Sequence, residues 1–304
     1  MEYSADIIII GAGTAGLTAA IYARRSGQSV IIFEKLAYGG QIINTPDIEN
    51  YPGIAHISGF EFANNLYEQA MSFGCDFRFE DVEEVTDLNE YKKVRTNYGE
   101  YTCKNVIIAT GAKNRPLGLE KETEMIGKGV SYCATCDGMF FKKKDVLVNG
   151  GGNTAVEDAY FLSKYCNTVY IVHRRDTFRA DSKDVDKLKE KENVKFVYNS
   201  VVTKLNGDDM LESVEVKNVL TNETQTIKVQ GLFIAIGQMP DNAKFTNVVD
   251  LDEKGYIIAG EDCKTKTKGI YACGDCRTKE VRQLTTAASD GAIAALDASK
   301  NRIS

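Results

Sequence analysis

At 304 residues, 43% of them hydrophobic and 26% charged, the chain has ordinary globular composition and room for about two domains, which excludes a disordered tail or a fibrous repeat as its main content. With 37 Lys and Arg against 43 Asp and Glu the net charge is −6, so no field exists to condense the protein on nucleic acid or an anionic membrane, and any phosphate must be held by local groups. Aliphatic runs such as Ile7 to Ile10 fall far short of the roughly 18 residues that span a bilayer, and Met1, Glu2 and Tyr3 lack the basic flank of a signal peptide, so the expectation is a cytoplasmic protein with no membrane and no nucleic acid among its partners.

The first 35 residues read as strand, tight turn, helix, strand. Asp6 to Ile10 is apolar, Gly11-Ala12-Gly13-Thr14-Ala15-Gly16 follows, an Ala-rich stretch runs to Arg25, and Ser29 to Phe33 ends at Glu34. This is a dinucleotide fingerprint in its required context: glycines let the backbone approach a pyrophosphate at a helix N-terminus, and the acid is placed for a ribose. Further on, Ser58 to Glu61 forms a capping box, Phe62, Leu66, Ala70 and Phe73 make an apolar stripe, and Gly74 is a stop signal, so a purely architectural helix is predicted there.

A second copy begins at Asp145. An apolar strand to Val148 leads into Gly150-Gly151-Gly152-Asn153-Thr154-Ala155, then helical spacing from Val156 to Tyr165 and a strand from Val169 to Val172. Glu34 stands 23 positions after Gly11 and His173 stands 23 after Gly150, so His173 occupies the place of the ribose acid. Each copy closes on a similar strand and glycine, Asn105 to Gly111 and Leu232 to Gly237, after short alternating strands such as Tyr91 to Arg95 and Leu211 to Val216. The remaining tail is too short for a third unit. It carries the short strand of Gly269 to Asp275 and a helical stretch from Arg282 to Ser299, and it is expected to return to the first domain. The fold class predicted is therefore α/β, two Rossmann-like dinucleotide-binding domains with the second inserted into the first: 1–114 with 243–304, and 115–242. Pro116 and Pro240 fall just beyond the two closing glycines, where stiff, non-helical crossings are expected.

Cys133-Ala134-Thr135-Cys136 has the spacing of a short redox disulfide, and it lies just before the second fingerprint. In a reducing compartment such a pair is chemical rather than structural. Cys273 and Cys276 repeat the spacing but read as small buried side chains. A four-cysteine zinc site built from both pairs is disfavoured by the long separation between them, and His56 and His173 are too few for a multi-His metal site or a His triad, so no metal is expected. Where an acid would meet a free ribose hydroxyl, His173-Arg174-Arg175 and Arg179 present guanidinium charge suited to a 2′-phosphate, which favours NADPH over NADH.

Taken with Gly39-Gly40-Gln41, Glu49 to Gly53, Ala109 to Gly111, Cys133 to Gly138, His173 to Ala180, Gly274-Asp275 and Arg282-Gln283, these motifs closely resemble those of the low-molecular-weight, bacterial-type thioredoxin reductases over essentially the full chain. The resemblance implies FAD in the first domain, NADPH and the redox cysteines in the second, thioredoxin as partner, and a homodimer. It places FAD on Gly11, Gly13, Thr14, Ala15, Gly16, Glu34, Lys35, Gly40, Gln41, Asn50, Val82, Ala109, Thr110, Gly111, Gly274, Asp275, Arg282, Gln283 and Leu284. NADPH falls to Gly150, Gly152, Asn153, Thr154, His173, Arg174, Arg175, Arg179, Ile236 and Gly237. Cys136 becomes the flavin-side thiol, Cys133 the one that attacks the partner disulfide, and Asp137 the proton donor. It also implies that the inserted domain rotates about its two crossings. Thr14, Asn149 and Ser289 depart from the common pattern, where proline, an aliphatic residue and glycine are frequent, and bear on flavin affinity or helix packing. The rival readings are a reductase of another small disulfide protein, as in a peroxiredoxin system, and a nucleotide-binding redox sensor without turnover; a ferredoxin-linked reductase is disfavoured by the intact Gly150 and Arg174 clusters.

Overall fold

The computed structural model describes residues 4–45 and 47–300; Met1 to Tyr3, where the absence of a leader was read, and the last four residues of the expected first domain lie outside the described residues. The chain divides into two compact units, one running to Lys113 and resuming at Met239, the other from Asn114 to Gln238. The second crossing comes four residues earlier than the expected boundary. The reason is local: Gln238–Pro240 is itself a strand, and it pairs with Ala112–Asn114 in a two-stranded sheet made by the crossings.

In the first unit, β1 (Ala5–Ile10), β2 (Val30–Glu34), β3 (Asp76–Phe79), β4 (Val82–Asp87), β5 (Lys92–Thr96) and β6 (Glu100–Ile108) form a sheet in the order β3-β2-β1-β6-β5-β4. The β1, β2, β3 and β6 pairings are parallel, and β4 and β5 continue antiparallel. Side chains of a strand alternate between faces, so a run of four isoleucines serves two cores at once. Ile7 and Ile9 pack with the helices, while Ile8 and Ile10 pack with Val82, Val94 and Phe245 on the other face. The tail rejoins this unit through Ile270–Ala272, which lies parallel to β6.

Helix α1 (Thr14–Arg25) packs against the closing helix Leu284–Lys300, and at Gly291 the approach brings the backbone of one helix onto that of the other. A Cβ on Gly291 would stand 2.2 Å from the Ala15 carbonyl oxygen, whereas one on Gly16 would stand 1.9 Å from that of Gly11 and so block the turn from β1 into α1. Ser289 is exposed, so its departure from glycine does not reach this crossing. Helix α2 (Gly59–Ser72) starts as its sequence predicts: the Ser58 hydroxyl accepts the Glu61 amide at 3.1 Å, and Gly74 follows with φ +77°. Phe62 and Ala70 are buried, while Leu66 and Phe73 are partly buried against the cores.

The second unit has its own parallel five-stranded sheet, ordered Val194–Val197, Thr168–Val172, Asp145–Gly150, Gly231–Ala235 and Val130–Ser131. An antiparallel sheet of Ser200–Asn206, Ser213–Asn218 and Thr224–Lys228 packs beside it through Val202, Val214, Val216 and Ile227. The predicted strand from Leu211 begins two residues later, because Leu211 is spent on a buried contact beneath Gly129.

Candidate functional site

The first glycine turn joins β1 to α1. Gly11 has φ +103°, and a Cβ there would lie 2.4 Å from the Ala109 carbonyl oxygen, so only glycine lets the turn close onto the end of β6. Gly13 caps α1 and leaves its face open, the nearest atom to an added Cβ being the Gly39 oxygen at 3.9 Å. Glu34, the last residue of β2, accepts the Ala12 amide at 2.9 Å and the Leu36 amide at 3.0 Å. A carboxylate has lone pairs beyond those two, so it can still accept from a ribose hydroxyl.

Six of the predicted flavin residues, Gly11, Glu34, Lys35, Val82, Thr110 and Gly111, line one cleft of this unit. Its rim carries two ion pairs, Lys35–Asp241 at 2.9 Å and Lys244–Asp81 at 3.0 Å. Gly111 has φ +67° with nothing within 4 Å of an added Cβ. Gly40 has φ +69°, and the Gln41 amide donates to the Ala112 carbonyl. Asn50 donates to Gln283 at 3.4 Å, which brings these two predicted residues together, and Leu284 starts the closing helix beside the α2 core.

Gly274 and Asp275 form a tight turn against α1, a Cβ on Gly274 reaching within 2.8 Å of that of Ala15. The Gly274 amide donates to Asp290 at 2.9 Å, and Asp290 also takes Arg277 through two bonds of 2.8 Å and Lys279 at 2.9 Å. All three side chains of this cluster are nearly inaccessible. Burial alone would raise the Asp290 carboxyl, but the Arg277 and Lys279 bonds outweigh it and hold it below its usual value. Asp275 is different. Burial pushes it up against the pull of Lys279 and Arg282, and its Oδ1 is buried without a partner. Arg282 stacks 4.2 Å above the Tyr256 ring with a buried, unpartnered Nε. Cys273 and Cys276 are buried free thiols, pushed up by burial, Cys276 to about 11, which fits the small-side-chain reading rather than a second redox pair.

The second glycine turn repeats the first with other side chains. A Cβ on Gly150 would meet the Ala235 oxygen at 2.3 Å, and Gly152 caps the helix Asn153–Leu162 with open space at its own Cβ position. His173 is buried, stacked on Phe178 at 5.2 Å, and fills the space beside Gly151, where a Cβ would fall 2.1 Å from the imidazole. Burial, with the charges of Arg179, Arg174 and Arg175, holds its pKa down. The Arg179 amide donates to the Gly151 carbonyl at 2.8 Å, which folds the basic loop back on the glycine turn. Arg174, Arg175 and Arg179 are exposed, and none has an ion-pair partner among the described residues. Thr154 and Asn153 are exposed on the first helical turn, Asn153 accepting the Asp181 amide at 3.2 Å. Ile236 and Gly237 follow the strand that lies beside Asp145–Gly150, and Gly237 has φ +103°.

In the same unit Cys133 and Cys136 form a disulfide, with Cα atoms 5.3 Å apart. Asp137 follows in a single helical turn. Its Oδ2 accepts the Ser131 hydroxyl at 2.6 Å, its Oδ1 is buried without a partner, and burial raises its pKa against the lowering effect of that hydrogen bond. Ser131 also accepts the Cys133 amide at 3.0 Å. Sequence reasoning passed over Ser131, Arg277, Asp290 and the rim pairs, since each acts through a contact whose spacing follows no motif.

A profile for the pyridine nucleotide-disulphide oxidoreductase family matches residues 5–291 of this chain. The thioredoxin reductase of Bacillus subtilis (strain 168) is 43% identical over 95% of this chain and 92% of its own length. Among solved structures, thioredoxin reductase from Streptococcus pyogenes MGAS5005 is 43% identical with a TM-score of 0.92, covering 97% of this chain and 96% of its own. The enzyme from Giardia duodenalis has the same TM-score at 35% identity, over 97% and 98%.

Proposed function

We propose that the protein is an NADPH-dependent thioredoxin reductase, and the premise is that this chain belongs to the pyridine nucleotide-disulphide oxidoreductase family. The observation that carries the proposal is the second unit, which holds a Cys133–Cys136 disulfide, a half-buried acid beside it, and, folded back on its glycine turn, three exposed arginines without ion-pair partners among the described residues. Guanidinium forks pair bidentately with phosphate, so this loop suits a 2′-phosphate and favours NADPH. His173 supports the loop from below, with its ring against Gly151.

The first unit fits FAD. Gly13 and Gly111 leave backbone open for close approach, Glu34 retains acceptor capacity for a ribose, and the orphaned Oδ1 of Asp275 wants a hydroxyl donor such as a ribitol provides. Bound there, FAD would take hydride from NADPH and supply the two electrons that open the disulfide.

Once the disulfide is reduced, the protein's own groups carry the exchange. Cys133 as thiolate bonds to one sulfur of the partner disulfide, the partner's S–S bond breaks, and the departing thiolate takes the proton of Asp137. Cys136 then attacks the sulfur of Cys133, gives its proton to Asp137, and releases the partner's second thiolate, which is protonated from water. Two electrons pass from the dithiol to the partner, and the Cys133–Cys136 bond is restored. A homodimer rests on the resemblance alone. Six unpaired cysteines of eight suit the reducing cytoplasm.

The test mixes purified protein, NADPH and thioredoxin and follows thiol release. Turnover that stops in Cys133→Ser and in Cys136→Ser supports the reading. Turnover only with another small disulfide protein, or flavin reduction with no turnover at all, overturns it in favour of a different substrate or a sensor.

A further inference from the structure

We propose that Ser131 is a positioning residue for the disulfide exchange: by holding Oδ2 of Asp137 it reserves Oδ1 for the proton that passes to the departing thiolate. The inference rests on the thioredoxin reductase reading and deepens it.

Ser131 closes the two-residue strand Val130–Ser131, fixed in the parallel sheet opposite Phe233. It is buried, and both of its good contacts point into the redox turn. Its lone pair takes the Cys133 amide at 3.0 Å, and its hydroxyl proton goes to Asp137 Oδ2 at 2.6 Å. One hydroxyl has one proton to give, and of its two acceptors Asp137 Oδ2 at 2.6 Å is much closer than the Cys133 carbonyl oxygen at 3.3 Å, so Ser131 receives from the nucleophile's backbone and donates to the acid. A carboxylic acid held this way at one oxygen carries its own proton on the other. That other atom, Oδ1, is the one buried with no partner, so a bare carboxylate there is costly and a protonated one lacks an acceptor until a thiolate appears.

The helix packed against the redox turn, Asn153–Leu162, brings no Lys or Arg to this acid. Its titratable groups are Glu157, Asp158 and Tyr160, and just past its end comes Tyr165, whose hydroxyl would lie 2.7 Å from a Cβ on Gly138 and is itself unpartnered. Asp158 is raised by burial and by Glu157 to about 7, so it is neutral below that pH and anionic above it, and Tyr165, raised by burial, stays neutral. Burial and Ser131 are the opposing influences on Asp137.

Ser131 favours the carboxylate, so its removal leaves burial unopposed, and Asp137 keeps its proton to higher pH. In Ser131→Ala the alkaline limb of thioredoxin turnover should move up by roughly one pH unit, and kcat should fall about three- to tenfold with KM unchanged, the worth of one hydrogen bond. Ser131→Thr, which keeps the hydroxyl, should restore both. Ser131→Ala in an Asp137→Asn background should cost nothing more, because the serine acts through the acid. An unmoved limb, additive losses, or a threonine variant as impaired as alanine would overturn the inference. If Ser131→Ala is not recovered folded, the infrared carbonyl band of protonated Asp137 decides, identified by its absence from Asp137→Asn. A band lowered by hydrogen bonding supports the assignment, and one at the position of a free acid sinks it. Failure of the parent reading looks different, since the unsubstituted enzyme would then not turn over thioredoxin.

Discussion

Glu34 and His173 stand at the same register in the two halves, and each reaches the second residue of its own glycine turn. Glu34 does so by accepting the Ala12 amide, and His173 by packing its ring on Gly151. The difference explains why alanine is tolerated at 12 while the equivalent position is glycine. In Gly151→Ala the new methyl would fall 2.1 Å from the imidazole, and the ring is too confined by Phe178 to swing away freely. We expect a loss of about 1–3 kcal/mol in stability and weaker NADPH binding with flavin content unchanged, read by thermal unfolding and coenzyme titration. The exposed arginines make a separate prediction. Arg174→Gln with Arg175→Gln should raise KM for NADPH by at least about tenfold, given some 1.5–3 kcal/mol for a hydrogen bond to a charged group, and leave KM for NADH nearly unchanged. Steady-state kinetics with both coenzymes settles it, and equal effects would show that the loop does not read the phosphate.

At the scale of elements, the approach of α1 to the closing helix is set at Gly291, with alanines of both helices packed around it. Alanine for glycine inside an exposed helix ordinarily gains about 1 kcal/mol. At Gly291 the sign reverses, because the methyl would meet the Ala15 carbonyl oxygen at 2.2 Å, and two helices would have to part. Gly291→Ala should lower the melting temperature and loosen flavin retention, whereas Ser289→Ala, exposed on the same helix, should leave both unchanged or slightly improved. Much of this level was legible in the sequence. A strand of isoleucines, a capping box and two glycine turns with a matched acid or imidazole are local patterns, and local patterns survive without coordinates. Ser131 and the Arg277–Asp290 pair were not. Ser131 meets Asp137 only because a sheet strand is turned back by the redox helix, and Asp290 meets Arg277 only because the closing helix crosses the Gly274 turn. Leu211 likewise read as strand by its alternation, and tertiary burial under Gly129 withdrew it from the sheet.

At the scale of the molecule, the inserted unit has both a complete sheet of its own and ends that meet. Arg115 donates its amide to the Gly237 carbonyl at 3.0 Å, and the Gln238 and Asn114 side chains bond at 3.0 Å. Its cores, around Val148 and around Val214, draw only on residues of the same unit. A fragment from Asn114 to Gln238 should therefore fold cooperatively and bind NADPH without flavin, as followed by denaturant unfolding and by coenzyme titration; a fragment that stays unfolded would show that the insertion depends on its host. The neighbouring ends also set how instability spreads. While the insert is folded, the host closes what amounts to a loop of a few residues. If the insert melts, the host must instead hold together the ends of roughly 125 free residues, about five doublings of loop length and hence about 3 kcal/mol of added closure entropy. Damage confined to the disulfide-bearing half is thereby passed to the other half as a purely entropic tether, with no side-chain contact needed to transmit it.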